Sequence, residues 1–176
     1  MNNRGLFLDL AFAHVGWIVL DVQNEYVLDN YGCIETTKSP KVRKIRVADD
    51  DTRRCREITV EIIRIIHEYD IRIVVLEAPV GSKNARAARC LGMSTGIVAA
   101  LEAVYDIPFL YVTPTDVKIA LCGNKKASKD DMMEKARELF PDFADMPKSK
   151  FEHIADALGV AEVVKEDPLI RMLRRV

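Results

Sequence analysis

Apolar residues fall into short dense runs in the first third of the chain and into helical spacing afterwards. Residues 5–11, 15–22 and 26–36 are strand-length segments rich in Leu, Val and Ile, linked by brief polar stretches, and predict an antiparallel meander. Gln23-Asn24-Glu25 reads as a hairpin turn, because Asn tolerates positive φ. Residues 37–50, Lys-Ser-Pro after Thr37 and then mixed charge, predict a loop. Ile58, Ile62, Ile65, Ile66 and Tyr69 lie near helical spacing and predict a helix over 52–69, capped by Asp51 or Thr52. Asp70 breaks that pattern. Residues 71–77 form a buried-type strand that Pro79 and Gly81 stop.

A long helix over 84–105 follows, full of Ala and Gly, with small residues spaced to let another helix approach closely. A short strand at 109–113 comes next. Pro114 sits naturally in the first turn of a helix over 115–122, ended by Gly123-Asn124. Ser128 caps a helix over 129–140, with Asp130 and Asp131 where the helix dipole favours negative charge. Residues 141–147 predict a loop, 150–165 a last main helix, and Asp167-Pro168 leads into a basic tail. The order β-β-β-α-β-α-β-α-α-α implies an α/β fold on one mixed five-stranded sheet. Its first three strands are antiparallel, and right-handed crossovers add the parallel ones.

With 176 residues the chain is sized for one domain, 1–176, with a substantial core. Apolar residues at 49% and charged residues at 30% exclude a disordered chain. No apolar run in the sequence suggests a membrane span, and no signal peptide opens it, so the expected location is intracellular, in the cytoplasm. Cys33, Cys55, Cys90 and Cys122 stand apart, which argues against a zinc knuckle or a disulfide frame.

The net charge of -1 gives no overall attraction to nucleic acid, but its distribution is uneven. Lys38, Lys41, Arg43, Lys44, Arg46, Arg53, Arg54 and Arg56 crowd one stretch, broken by Asp49-Asp50-Asp51. Lys83, Arg86 and Arg89 follow Glu77, and Lys118, Lys125, Lys126 and Lys129 form a third group. Any one cluster is ordinarily a solvated surface; three of them shift the reading toward phosphate neutralisation.

Asp9 interrupts the apolar run around Leu8, Glu77 ends the strand at 71–77, and His153 and Asp156 fall three apart, so they share one face of a helix. A carboxylate in a buried strand is costly unless a cation or another partner compensates it. Each residue has a bland reading: a strand-end turn, the start of a loop, a satisfied core histidine, a helix salt bridge. Together, three carboxylates and an imidazole are sufficient ligands for divalent cations. Two Mg²⁺ about 4 Å apart can clamp the attacking and leaving oxygens of a phosphodiester.

Leu8-Asp9-Leu10-x₅-Gly16-Trp17, Val-Val-Leu-Glu-Ala-Pro at 74–79 and His-Ile-Ala-Asp-Ala-Leu-Gly-Val-Ala at 153–161 resemble the RuvC-type Holliday-junction resolvases of the ribonuclease H-like superfamily. Gly-Cys-Ile at 32–34, Asn84 and Val-Thr-Pro-Thr-Asp-Val-Lys at 112–118 extend the resemblance over nearly the whole chain. It implies a ribonuclease H-like sheet with helices on both faces. It also implies metal ligands at Asp9, Glu77 and Asp156, and at His153, a position that holds Asp in some members and His in others. Imidazole there favours Mn²⁺ relative to Mg²⁺. Phosphate contacts fall on Lys118 and Lys129. The implied partners are branched DNA, four-way junctions above all, and a second copy of the chain in a homodimer, for recombination and repair.

One departure stands out. The loop after the catalytic Glu often carries an aromatic wedge in this family, and here reads Pro79-Val80-Gly81-Ser82-Lys83. That implies weaker stacking on opened bases and broader cleavage of branched DNA, as in viral relatives. The chain's brevity and divergence fit a phage or viral source. Lys83, Arg86 and Arg89 then grip the junction by phosphate contact. The rivals are a ribonuclease H-like enzyme acting on RNA–DNA hybrid or RNA, and a non-catalytic junction-binding protein. A phosphotransferase of the actin-like fold would need a Gly-rich phosphate loop, which the sequence lacks.

Overall fold

Strict alternation along the first strand decides the architecture. In the computed structural model, which describes residues 3–23, 26–78, 81–143 and 146–174 (backbone only at 142), β1 spans Arg4–Leu10. Its Leu6, Leu8 and Leu10 enter one core and Phe7 the other. A side-chain period of two therefore puts Asp9 on the Phe7 face. β2 (His14–Asp21) and β3 (Val27–Glu35) complete an antiparallel meander, while β4 (Ile71–Glu77) and β5 (Phe109–Val112) add in parallel. The strand order β3-β2-β1-β4-β5 makes β1 central.

Helices cover both faces. α1 (Val47–Glu68) and α2 (Ala85–Val104) lie on the Leu6–Leu8–Leu10 side, where Ile58, Ile62, Ile65, Ile97, Val98 and Leu101 are buried against the sheet. Each fully buried Ile is worth about 1.5–3 kcal/mol relative to exposure. α3 (Pro114–Cys122), α4 (Lys129–Leu139) and α5 (Lys148–Val164) cover the other side, with Phe151, Ile154 and Leu158 of α5 set against the Phe7 face. β4 repeats the alternation: Ile73 and Val75 face α5, so Glu77 does too.

The close approach of α5 depends on one residue. Gly16 of β2 pairs across with Asp9, and a Cβ at this position would lie 2.0 Å from the carbonyl oxygen of His153. Any larger residue would lift the helix off the sheet at the point where His153 meets Asp9.

Four expectations need correction. α1 begins at Val47, five residues before Thr52, and its N-cap Arg46 supplies no side-chain cap. Asp51 is not a cap: it lies inside the helix, fully buried, with Arg86 Nη2 2.9 Å from Oδ1 and Arg89 Nη2 2.9 Å from Oδ2. The basic tail is a seven-residue helix, α6 (Pro168–Arg174), because Ile170 is fully buried and Leu169 and Leu173 pack beside it. Short 3-10 turns at Lys41–Arg43 and Pro141–Phe143 occupy segments expected to be plain loop. Of the expected hairpin turn, residues 24 and 25 lie outside the described residues, as do 79 and 80 of the loop after Glu77.

α2 is long and apolar enough, by length and composition, to cross a membrane, unlike the expectation from the sequence. Its Ile97, Val98 and Leu101 are instead packed on the sheet, and Arg86 and Arg89 tie its first turns to α1.

Candidate metal centre

Asp9 and Glu77 sit side by side because β1 and β4 are parallel and Leu8 pairs with Leu76. Both strands end here, so both carboxylates reach the carboxyl edge of the sheet. α5 crosses above them with His153 and Asp156 on its lower face. His153 Nδ1 lies 3.1 Å from Asp9 Oδ2. Candidate ligand atoms of Asp9, His153 and Asp156 all lie within 4.8 Å of one another. Glu77 is outside that tightest group but lines the same cleft of about 300 Å³, with Lys118 and Lys129.

The electrostatics of the cleft fit a cation. Two carboxylates about 5 Å apart repel by roughly 3 kcal/mol at an effective dielectric near 20. Burial, then Asp9 and Asp156, push the Glu77 carboxyl up to about 7. Burial, then Asp9, push Asp156 up to about 6. Lys118 and Lys129 pull both back down without cancelling the rise. Several oxygens and one imidazole nitrogen, half-buried and mutually repelling, are the donor set a divalent ion would satisfy.

The two lysines are held in place by helix starts. Thr113 and Asp116 form a reciprocal cap on α3, and Ser128 and Asp131 form another on α4. Such a cap contributes about 1 kcal/mol and fixes where the first turns point. Lys118 and Lys129 accordingly face the carboxylates, and Lys129 also ion-pairs with Glu152.

The other expected DNA contacts lie elsewhere. Lys125 and Lys126 are exposed in the α3–α4 turn, where the Lys126 amide donates to Asn124 Oδ1 at 2.9 Å. Lys83 is exposed just before α2. Arg86 and Arg89 are committed to the buried Asp51 rather than gathered around the carboxylates.

The sequence reading missed His14 at this site and the structural role of Gly16. Gly16 lets α5 dock, as described above. His14 stacks on His153, with ring centroids 4.9 Å apart and planes 10° from parallel. The signal was present: alternation along β2 puts His14 on the face of Gly16 and Ile18, toward α5.

Comparison with known proteins adds three observations. The family model described as "Crossover junction endodeoxyribonuclease RuvC" matches residues 12–163, a span that includes Glu77, His153 and Asp156. Proteins named crossover junction endodeoxyribonuclease RuvC are similar over most of their length. That of Pseudothermotoga lettingae is 28% identical over 155 residues, 88% of each chain. That of Shewanella woodyi is 30% identical over 151 residues, 82% of this chain and 84% of its own. Among solved structures, Thermus thermophilus RuvC in complex with Holliday junction substrate superposes with a TM-score of 0.70 at 21% identity, over 92% of both chains. The yeast mitochondrial Holliday junction resolvase gives 0.65 at 11% identity, over 99% of this chain and 82% of its own. At these identities the structures speak to the fold alone.

Proposed function

The chain belongs to the RuvC family of crossover junction endodeoxyribonucleases, and from that premise we propose that it cleaves four-way DNA junctions by divalent-metal-dependent phosphodiester hydrolysis. The observation that carries the reading is the convergence of Asp9, Glu77, His153 and Asp156 from three separate elements on one cleft. Asp9, His153 and Asp156 would hold one ion and Glu77 would share a second with Asp9. Mg²⁺ is the expected ion, with Mn²⁺ favoured more than in an all-carboxylate site because imidazole suits transition metals. When bound, such a pair supplies Lewis acidity to the attacking water and to the departing 3′-oxygen.

The chain's own groups do the rest. Asp9 and Glu77 stand on adjacent strands of a rigid sheet, which fixes their spacing. Lys118 and Lys129 offer ammonium groups to the phosphate and offset the negative charge that builds on its non-bridging oxygens. Lys125 and Lys126, on the turn between those two helices, extend that contact along the backbone, and the exposed Lys83 offers a further phosphate contact.

A homodimer supplies the two cuts a junction needs. On α2 the residues Gly92, Gly96, Ala99, Ala100, Ala103 and Val104 are exposed, with Val104 at 77%. A small-residue face of that kind accepts the same face of a second copy about a two-fold axis, which sets two clefts against two symmetric strands.

A substrate panel tests the reading. Labelled four-way junction, fork, linear duplex and RNA–DNA hybrid are incubated with the protein and Mg²⁺, Mn²⁺ or EDTA. The expected result is paired symmetric nicks in the junction, lost in EDTA, with some cutting of the fork. Cleavage of the hybrid alone would move the function to RNA–DNA chemistry, and binding without cleavage under either metal would make the protein a non-catalytic junction binder.

A further inference from the structure

In the sequence, Asp49-Asp50-Asp51 follows the basic run so closely that the two charges look self-cancelling. The fold separates them. Asp51 is fully buried under Arg86 and Arg89. Asp50 is buried too, accepting from Ser39 Oγ at 2.6 Å and from Arg53 Nη2 at 2.8 Å. Asp49 pairs with Arg46 at 2.8 Å. All three acids are thus taken up by arginines outside residues 38–44: Asp49 by Arg46, Asp50 by Arg53, and Asp51 by Arg86 and Arg89 of α2. Lys38, Lys41, Arg43 and Lys44, four of the seven residues at 38–44, have no ion-pair partner among the described residues and are exposed. Arginines elsewhere on the surface, such as Arg64, Arg72 and Arg171, are paired with acids.

This loop is anchored and close to the cleft. Arg53 Nη2 donates to the Thr37 carbonyl at 2.6 Å, and the Ser39 amide donates to Asp50. Thr36 Oγ1 donates to the Phe12 carbonyl at 2.8 Å, and the Thr36 amide donates to the Ala13 carbonyl at 2.9 Å. The buried Arg54 guanidinium ties the same two strand ends together through Thr36 Oγ1 and the Phe12 carbonyl. Phe12 is three residues past Asp9. Glu35, where the loop leaves the sheet, pairs with His14, whose ring lies on His153. The loop thus rises from the same sheet edge as Asp9 and Glu77, beneath the helix that carries His153 and Asp156.

At its crest a 3-10 turn over Lys41–Arg43 presents Val42 at 85% exposure between cations. Beneath it lies a hollow of about 270 Å³ whose lining includes Lys38, Ser39, Lys41 and Arg86 together with the Asp50 carboxylate, which Ser39 and Arg53 occupy. We infer that the 38–44 loop is a second phosphate-binding surface, gripping the sugar–phosphate backbone of one duplex arm beyond the scissile strand. The inference rests on the junction-cleavage reading and adds to it a contact outside the cleft. The chemistry is backbone neutralisation, so it sets affinity and orientation on an arm and carries no base preference.

The test measures binding of the whole 176-residue chain to a labelled four-way junction across a salt series, in Ca²⁺ to hold cleavage back. The variant is Lys41→Ala/Arg43→Ala/Lys44→Ala, compared with Arg64→Ala/Arg72→Ala/Arg171→Ala, which changes net charge equally. If two of the three loop cations touch phosphates, the slope of log K against log salt becomes shallower by about 1.8 in the loop variant. The paired-arginine variant keeps the wild-type slope. Shortening the junction arms stepwise should weaken wild type until it matches the loop variant, and leave the loop variant little changed. Matching unfolding midpoints for wild type and the loop variant exclude misfolding, and loss of arm protection in a hydroxyl-radical footprint gives a second readout. An unchanged slope, or equal losses in the two triple variants, overturns the inference and leaves the nuclease reading standing. A wild-type protein that does not bind the junction overturns both.

Discussion

At the scale of single residues, the four candidate ligands divide into two carboxylates fixed by strands and a His–Asp pair carried by α5. Glu77 is the most informative to change, because it keeps its shape as Gln and loses only charge. Glu77→Gln should slow single-turnover junction cleavage by more than about a hundredfold, since even residues that merely support a metal ligand cost 10–100-fold. Junction binding should be kept or tightened, as one charge that repels phosphate is gone. His14 contributes at one remove. Its ring covers His153, whose Nδ1 faces Asp9, so His14→Ala should raise the metal concentration for half-maximal cleavage about tenfold. His14→Phe should restore most of it by restoring the stack. An equal loss in both variants would mean that the imidazole of His14 acts through its nitrogens.

The raised carboxyls also set a pH dependence. Glu77 and Asp156 sit at about 7 and about 6, above their ordinary values of 4.5 and 3.8. The folded state therefore holds these protons more tightly than the unfolded chain does. That contribution to stability is fully present below about pH 4 and is lost as pH rises through about 7. Thermal melts of the metal-free protein should show the midpoint falling over that window once the general acid-range effects of other groups are matched with a Glu77→Gln control. Added Mg²⁺ should restore the midpoint mainly above pH 7, where both carboxyls are ionised and free to bind it.

At the scale of elements, the positions of Asp9 and Glu77 were legible because alternation along a buried strand leaves little choice of face. The i, i+3 spacing on α5 was legible for the same kind of reason. Three features were not. Asp51 has the look of a helix cap, and only the packing of α1 on α2 reveals Arg86 and Arg89 as its partners, 35 and 38 positions away. α6 is seven residues long and basic, too short for periodicity to announce, and it forms because Ile170 finds a place in the core. The His14–His153 stack exists only once α5 has docked. Gly16 controls that docking. Gly16→Ala forces a methyl group against the His153 backbone, and overpacking of this kind costs about 1–3 kcal/mol. The variant should unfold at lower denaturant and lose metal-dependent cleavage out of proportion to its lost stability. Wild-type cleavage in that variant would show that α5 tolerates displacement.

At the scale of the whole molecule, a net charge of -1 conceals a polarised surface. Cations collect on the cleft, on the α3–α4 turn and on the 38–44 loop, while helix acids such as Glu61 and Glu138 are paired with cations of their own helix. The exposed small-residue face of α2 lies on the opposite side of the sheet from α5, so a partner can dock there without covering the cleft. Ala99→Glu, placed on that face, should turn a dimer into a monomer in sedimentation and replace paired nicks by single ones. A wild-type protein that sediments as a monomer would remove the two-fold arrangement from the account.

The most direct test compares wild type and Glu77→Gln on one immobile four-way junction under single-turnover conditions, with Mg²⁺ and with EDTA. The predicted result is symmetric paired nicks by wild type in Mg²⁺, none in EDTA, and a Glu77→Gln protein that binds the junction without cutting it. Cutting at the wild-type rate by Glu77→Gln, or undiminished cutting in EDTA, would contradict a metal centre built on these four residues.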